Sequence, residues 1–224
     1  MNGNDITAEG GPIAVGLFAL LLAFVTIVVG AWIAVVAYRG YRRSGERAVL
    51  FLAVGIAFVS TVHTSVRVVF STAGMSSVFT DATAVASQFA GLMLVLYAIY
   101  GRPERHYRHA VAAGVISAVL TFSVPLVLVE TLEMDQFLVQ TGSNAVPAVV
   151  GGFVALQAYR GYRRYDNRPM LLLAVGIGLL TVGSFVPIIV FHLLLTVSDA
   201  MALATIEGFE LLGLLVILQS LRRE

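Results

Sequence analysis

Seven long apolar stretches divide the chain, and the segments between them are short and polar. A helix needs about 20 mostly apolar residues to cross a hydrocarbon core that is about 30 Å thick. The candidate stretches run over approximately residues 12–38, 48–72, 82–100, 109–130, 144–159, 170–197 and 200–221. The pattern predicts an all-α integral membrane protein, with seven transmembrane helices in a single membrane domain over residues 1–224.

The composition agrees with a membrane protein and excludes several classes of site. Of the 224 residues, 58% are hydrophobic and only 12% are charged, too few for the shell of a soluble domain. The chain has no Cys, which excludes disulfides, thiolate catalysis and Cys-ligated metal. All 14 basic residues are Arg; without Lys, the chain cannot form the Schiff base of a retinal pigment.

The charges alternate in sign from one connection to the next. The basic connections and the C-terminus hold Arg39, Arg42, Arg43, Arg47, Arg102, Arg105, Arg108, Arg160, Arg163, Arg164, Arg168, Arg222 and Arg223. The N-terminal segment and the other connections hold Asp5, Glu9, Asp81, Glu130, Glu133, Asp135 and Asp199. Cytoplasmic loops carry the excess of Arg in multi-pass proteins. The pattern predicts an N-terminus outside and a C-terminus inside the cell (plasma) membrane.

An internal repeat is visible around one heptapeptide. AYRGYRR stands at residues 37–43 and again at residues 158–164, an offset of 121 residues. Between the windows 31–59 and 152–180, 15 of 29 positions are identical without a gap. Such identity indicates that one segment of the chain arose by duplication of the other.

The duplication predicts a 3+1+3 order of helices. With an offset of 122, GLMLVL at residues 91–96 matches GLLVIL at residues 213–218. Both copies keep their Arg-rich loop on one side, so the repeats are expected to be parallel, related by an axis along the membrane normal. The predicted units are repeat one over about 12–101, a linking helix over about 109–130, and repeat two over about 144–223.

The AYRGYRR loop followed by LAVG at residues 52–55 resembles small three-helix membrane proteins of halophilic archaea. Those proteins are uncharacterised, so the resemblance implies a membrane location and a haloarchaeal source and transfers no activity or site residue. The predicted order of helices is also similar to that of SWEET-type sugar transporters, in topology alone.

Few ionisable side chains fall inside the apolar stretches. They are His63, Arg67, His192, Glu207 and Glu210, and Gln88 lies at the same level. A charge at the centre of a membrane helix costs about 2.5–3.5 kcal/mol on insertion scales, so these groups should face the bundle interior and be paired. His63 and Arg67 share one helix face, as do Glu207 and Glu210. We take these six residues as the candidate ligand- or ion-binding site.

Each candidate has a structural and a functional interpretation. Arg67 either reaches water or joins its helix to the seventh in a static salt bridge, or it faces an anionic ligand or forms part of a gated ion pair. Glu207 and Glu210 repel each other if both ionise, which suits proton coupling; alternatively, one is a neutral acid and the other pairs with Arg67. The repeat aligns Gln88 with Glu210, which favours an interior site.

His63 allows three interpretations. It is a neutral imidazole bonded to a hydroxyl such as that of Thr64 or Ser87, a haem ligand together with His192, or a ligand in a metal site of two His and two Glu. The repeat aligns His63 with Ser184, so the two His are not equivalent by symmetry. We therefore predict no metal and no cofactor as the leading interpretation.

The motifs of common enzymes are missing, including HExxH, GxSxG, Walker A and GxGxxG, which favours a protein that is not an enzyme. We expect a carrier of a small solute or proton through an outward-facing polar cavity. The alternative is a membrane sensor or accessory subunit that signals through its Arg-rich loops to a protein partner, or as a homo-oligomer. A haem protein using His63 and His192 is a third option. The Arg loops are explained by topology and lipid headgroups, so no nucleic-acid partner is expected.

Overall fold

The computed structural model describes residues 13–100, 107–193 and 198–221, and in these ranges the chain forms seven long helices. All seven are long and apolar enough to cross a membrane, which confirms the prediction of a multi-pass, all-helical membrane protein in a lipid bilayer. The helices are α1 (Ile13–Ser44), α2 (Arg47–Thr72), α3 (Ser77–Tyr100), α4 (Tyr107–Glu130), α5 (Gln136–Tyr165), α6 (168–193) and α7 (Asp199–Leu221).

Two helices begin earlier than their apolar stretches. The start of α3 lies at Ser77 instead of residue 82, where the hydroxyl of Ser76 accepts the amide N–H of Phe79 at 3.3 Å. The start of α5 lies at Gln136 instead of residue 144, where Asp135 accepts the amide N–H of Leu138 at 2.9 Å. Side-chain acceptors satisfy the free N–H groups of a first turn, so a helix can begin in polar sequence.

Six of the helices form a ring. Each packs on the next in the order α1, α2, α3, α5, α6, α7, and α7 closes the ring against α1. The linking helix α4 lies outside this ring, mainly against α3, and is the least buried of the seven. The centre of the ring is therefore lined by the two repeats alone.

The second helix of each repeat contains one π-helical turn. It covers Phe58–Val62 in α2 and Leu179–Gly183 in α6, which are related by the offset of 121. Inside these turns Ser60 donates to the carbonyl of Ile56, and Thr181 to that of Ile177, both at 2.8 Å. A π turn shifts every following side chain around the helix axis, so His63 and Ser184, which follow the turns, are re-aimed in the same way.

The core near the Arg-rich ends of the helices is apolar and is built from equivalent residues of the two repeats. Its ten buried residues form five repeat-related pairs: Ile33 with Val154, Ile56 with Ile177, Val59 with Leu180, Leu92 with Leu214, and Val95 with Ile217. Equivalent positions of the two copies thus meet at one level of the ring. The internal repeat is a property of the folded packing as well as of the sequence.

Close backbone contacts hold the second and third helix of each repeat together. A Cβ on Gly91 would lie 2.6 Å from the carbonyl oxygen of Gly55, and one on Gly213 would lie 2.7 Å from that of Gly176. Small residues allow such approach, and in a bilayer van der Waals contact between helices replaces the hydrophobic effect as the source of stability.

We predict that Gly91→Ala and Gly213→Ala each destabilise the protein by about 1–3 kcal/mol, because the added methyl group forces apart two backbones. Thermal unfolding in detergent, followed by loss of the monodisperse elution peak, measures the effect. Gly208→Ala is the matched control, since a Cβ there meets nothing within 4 Å and Ala favours a helix. Equal melting temperatures for all three variants would contradict the packing described here.

Candidate functional site

The polar side chains occupy the half of the ring that lies away from the Arg-rich ends. We call that end of the bundle, at residues 73–76 and 131–135, the acidic end. Arg67 lies five residues before the end of α2, about 8 Å of helix, whereas Glu210 lies eleven residues into α7, about 17 Å. The candidate site thus runs from near the acidic end to the middle of the bundle.

Arg67 forms an ion pair with a residue that the apolar pattern did not select. Its guanidinium donates to Asp81 on α3 at 3.4 Å, and their side chains are 18% and 24% exposed. The sequence had assigned Asp81 to an outer loop and offered Glu207 or Glu210 as the partner of Arg67. The longer α3 brings Asp81 into the helix and within reach, so the salt bridge joins α2 to α3 and not to α7.

His63 and Glu210 face each other at the centre of the bundle, and each is 2% exposed. The Nδ1 atom of His63 lies 2.9 Å from the carbonyl oxygen of Ala84, which can only accept, so Nδ1 carries a proton. The Nε2 atom lies 3.6 Å from Oε1 of Glu210, and the hydroxyl of Thr64 donates to Oε2 at 3.3 Å. The imidazole and the carboxyl group thus lie within ion-pair distance, and Thr64 satisfies the second carboxyl oxygen.

Glu207 is the carboxyl group with an unsatisfied atom. It is 2% exposed, and its Oε2 is buried without a hydrogen-bond partner among the described residues. The hydroxyl of Thr26 on α1 is buried beside the carboxyl group, near enough to interact with it. Glu207 also lies within electrostatic range of Glu210 and Arg67.

Three openings have Arg67 in their linings. The inner pocket, of about 20 Å³, has room for about one water molecule. Its polar lining consists of His63, Arg67, Gln88, Asn144, Thr181, Ser184 and Glu210. The central cavity, of about 170 Å³, lies between Arg67, Asp81 and Gln140, and the lateral cavity, of about 580 Å³, lies between α1, α2, α3 and α7.

Five of the six candidates are therefore brought together. Gln88 and Glu210, aligned by the repeat, line the same inner pocket, as do His63 and its counterpart Ser184. The side chain of His192 lies outside the described residues. Both ring nitrogens of His63 are directed at protein oxygens, and no three His, Asp or Glu side chains of the described part cluster closely enough for a metal ion.

The two repeats contribute different chemistry at equivalent positions. The offsets relate Arg67 to Ile188 and Asp81 to Leu203, so an ion pair in the first copy is replaced by two apolar residues in the second. All four line the central cavity. In the opposite sense, Glu207 of the second copy stands where the first has Val85. Symmetric helices thus carry an asymmetric charge distribution.

Comparison with known proteins gives one match. The model of a family of unknown function (DUF7521) matches residues 19–100 and again residues 141–222. Each match spans one copy of the repeat, and together they cover more than half of the chain, so the chain belongs to this family. No curated protein and no solved structure matches the chain significantly.

We predict that the double variant R67I/D81L, which copies the apolar pair Ile188 and Leu203, is more stable than either single variant. Each single change leaves one partly buried charge unpaired, at a cost of about 1–2 kcal/mol, whereas the double change removes both charges. Thermal unfolding of the four proteins in detergent measures the coupling. Additive losses in the double variant would show that Arg67 and Asp81 do not depend on each other.

Proposed function

We propose that this DUF7521 protein is a carrier that moves a small solute or a proton across the membrane through a cavity at its acidic end. The observation that carries the proposal is the burial of Glu207 and Glu210, each 2% exposed, on one face of α7. Carboxyl groups at membrane depth are costly, and they occur where a protein handles ions, protons or polar ligands.

The separation of polar and apolar side chains into two halves of the ring supports a carrier function. The acidic half holds the charged groups and all three openings around Arg67, whereas the Arg-rich half is closed by the five apolar pairs. A solute that entered from the acidic end would meet the Arg67–Asp81 pair first and then Gln88 and the Glu residues. The apolar layer would have to part for release at the other end.

We infer a 3+1+3 arrangement of parallel repeats, with the acidic end outside the cell membrane and the Arg-rich end in the cytoplasm. The distribution of Arg along the chain supports this orientation, and the pairing of equivalent residues in the core supports the parallel repeats. The lack of enzyme motifs and the position of the polar groups inside the bundle favour a role without catalysis.

The orientation predicts the outcome of cysteine labelling, which the Cys-free chain allows without background. Ser44 is the last residue of α1 and Met75 lies just after α2; both are exposed, and they lie at opposite ends of the bundle. A membrane-impermeant maleimide applied to intact cells should label Met75→Cys strongly. It should label Ser44→Cys only after the cells are lysed. The reverse pattern would overturn the orientation.

The proposed carrier function predicts that flux depends on Glu210 and Arg67. In proteoliposomes, Glu210→Gln and Arg67→Ala should each reduce proton-linked or solute flux by at least about tenfold, because the buried carboxyl group beside His63 and the cation that borders the openings are lost. Glu130→Gln is the control, since this exposed carboxyl lies on α4 outside the site. Full flux in both site variants would show that transport does not depend on Glu210 or Arg67.

A membrane sensor or accessory subunit is the second candidate, favoured by the matched Arg-rich loops. The ring pairs Tyr38–Tyr41 and Tyr159–Tyr162 have centroid distances of 6.0 and 6.1 Å and interplanar angles of 43° and 41°. Two equal aromatic and basic surfaces are suited to a partner protein or a second copy of the chain. Co-purification of a partner, with no flux in proteoliposomes, would select this function over the carrier.

A further inference from the structure

One carboxyl group of the candidate site has no ion-pair partner among the described residues. Asp81 is paired with Arg67 at 3.4 Å, and Glu210 lies 3.6 Å from Nε2 of His63 and accepts a hydrogen bond from Thr64. Among the described residues, Glu207 has neither an ion pair nor a hydrogen bond to Oε2. When Glu207 is ionised, a ligand with one positive charge would balance its charge.

Glu207 lines the lateral cavity, whose walls are of two kinds. Its polar lining consists of Arg67, Ser71, Ser77, Thr80, Asp81 and Glu207, and Oγ1 of Thr80 is buried without a hydrogen-bond partner among the described residues. The rest of the lining is apolar and includes Ala19, Ala23 and Leu203. The volume of about 580 Å³ lies in the range of sites for small organic molecules and is far larger than a bare ion requires.

The lateral cavity also reaches the side of the bundle. Leu20 and Met75 border it and are 46% and 51% exposed, at a level where the outer surface of α1 and α2 meets lipid or its headgroups. A ligand with an apolar body can enter such a cavity from the bilayer, where an inorganic ion cannot.

We propose that the lateral cavity binds an organic cation of single charge with an apolar body, its charged group against the carboxyl group of Glu207 and its body against Ala19, Ala23 and Leu203. The positive charge complements the Glu207 carboxylate, and the apolar body matches the apolar part of the lining and the opening at the side. The inference names the solute class of the proposed carrier and rests on that function for its physiological meaning.

Equilibrium dialysis of the purified protein with radiolabelled benzyltrimethylammonium tests the proposal in a maltoside detergent, which carries no ammonium group. This probe cannot release a proton, so its binding is distinct from protonation of Glu207. Saturable binding of one cation per chain is expected. The neutral carbon isostere neopentylbenzene should compete at least about tenfold more weakly, and phenylacetate not at all, since an ion pair in low dielectric outweighs equal apolar contact.

Variants assign the cation to one carboxyl group. Glu207→Gln should weaken binding by at least about tenfold, Glu207→Asp should retain most of it, and Glu130→Gln should leave it unchanged. Equal competition by the cation and its neutral isostere overturns the proposal on the unaltered protein, whether or not Glu207→Gln folds. Unchanged binding in a folded Glu207→Gln variant overturns it as well.

Two further outcomes separate this proposal from the carrier function. Cation binding without flux would support the cation site and favour a sensor over a carrier. Flux that depends on Glu210, without cation binding, would support the carrier function and overturn the cation site. Competition by phosphatidylethanolamine but not by phosphatidylglycerol would support the same recognition of an ammonium group, with a zwitterionic lipid headgroup as its source.

Discussion

A charge inside a bilayer has to meet an opposite charge or a hydrogen-bonding group of the protein, because hydrocarbon offers neither. In this bundle Arg67 meets Asp81, and Glu210 meets His63 and Thr64. These contacts join α2 to α3 and α2 to α7 across the ring. The relative positions of three helices therefore depend on the pairing of a few buried groups, and one carboxyl oxygen, on Glu207, is left for a ligand or a proton.

Duplication gives the bundle a symmetric frame, and divergence within that frame creates the site. Equivalent residues meet in the apolar core, the π turns fall at equivalent positions, and the glycine contacts recur in both copies. Towards the acidic end the symmetry fails, since Arg67 and Asp81 correspond to Ile188 and Leu203. A symmetric frame with unlike residues at its axis can hold an asymmetric solute while its two halves still move as equivalent units.

The π turns and prolines lie where a change between two states would need flexibility. The turns Phe58–Val62 and Leu179–Gly183 contribute Val59 and Leu180 to the apolar core and lead directly into the polar groups, and Pro147 and Pro187 interrupt the backbone hydrogen bonding of α5 and α6. Close glycine contacts also reach these turns, since a Cβ on Gly30 would meet Ser60 and one on Gly151 would meet Thr181, so neighbouring helices pack tightly at this level as well.

The sequence by itself determined the number of helices, the duplication and most of the candidate polar residues, because apolar length, residue identity at a fixed offset and the rarity of charge in a membrane are local properties of the chain. It also identified Gln88 and Glu210 as equivalent positions, which the fold brings to one pocket. Only the tertiary structure decided which charges pair. Asp81 became the partner of Arg67 because a side-chain cap at Ser76 starts α3 within polar sequence, outside the apolar stretch. Glu207 differs from Glu210 because His63 and Thr64 reach only one of them, and that choice depends on how α2 and α7 face each other across the ring.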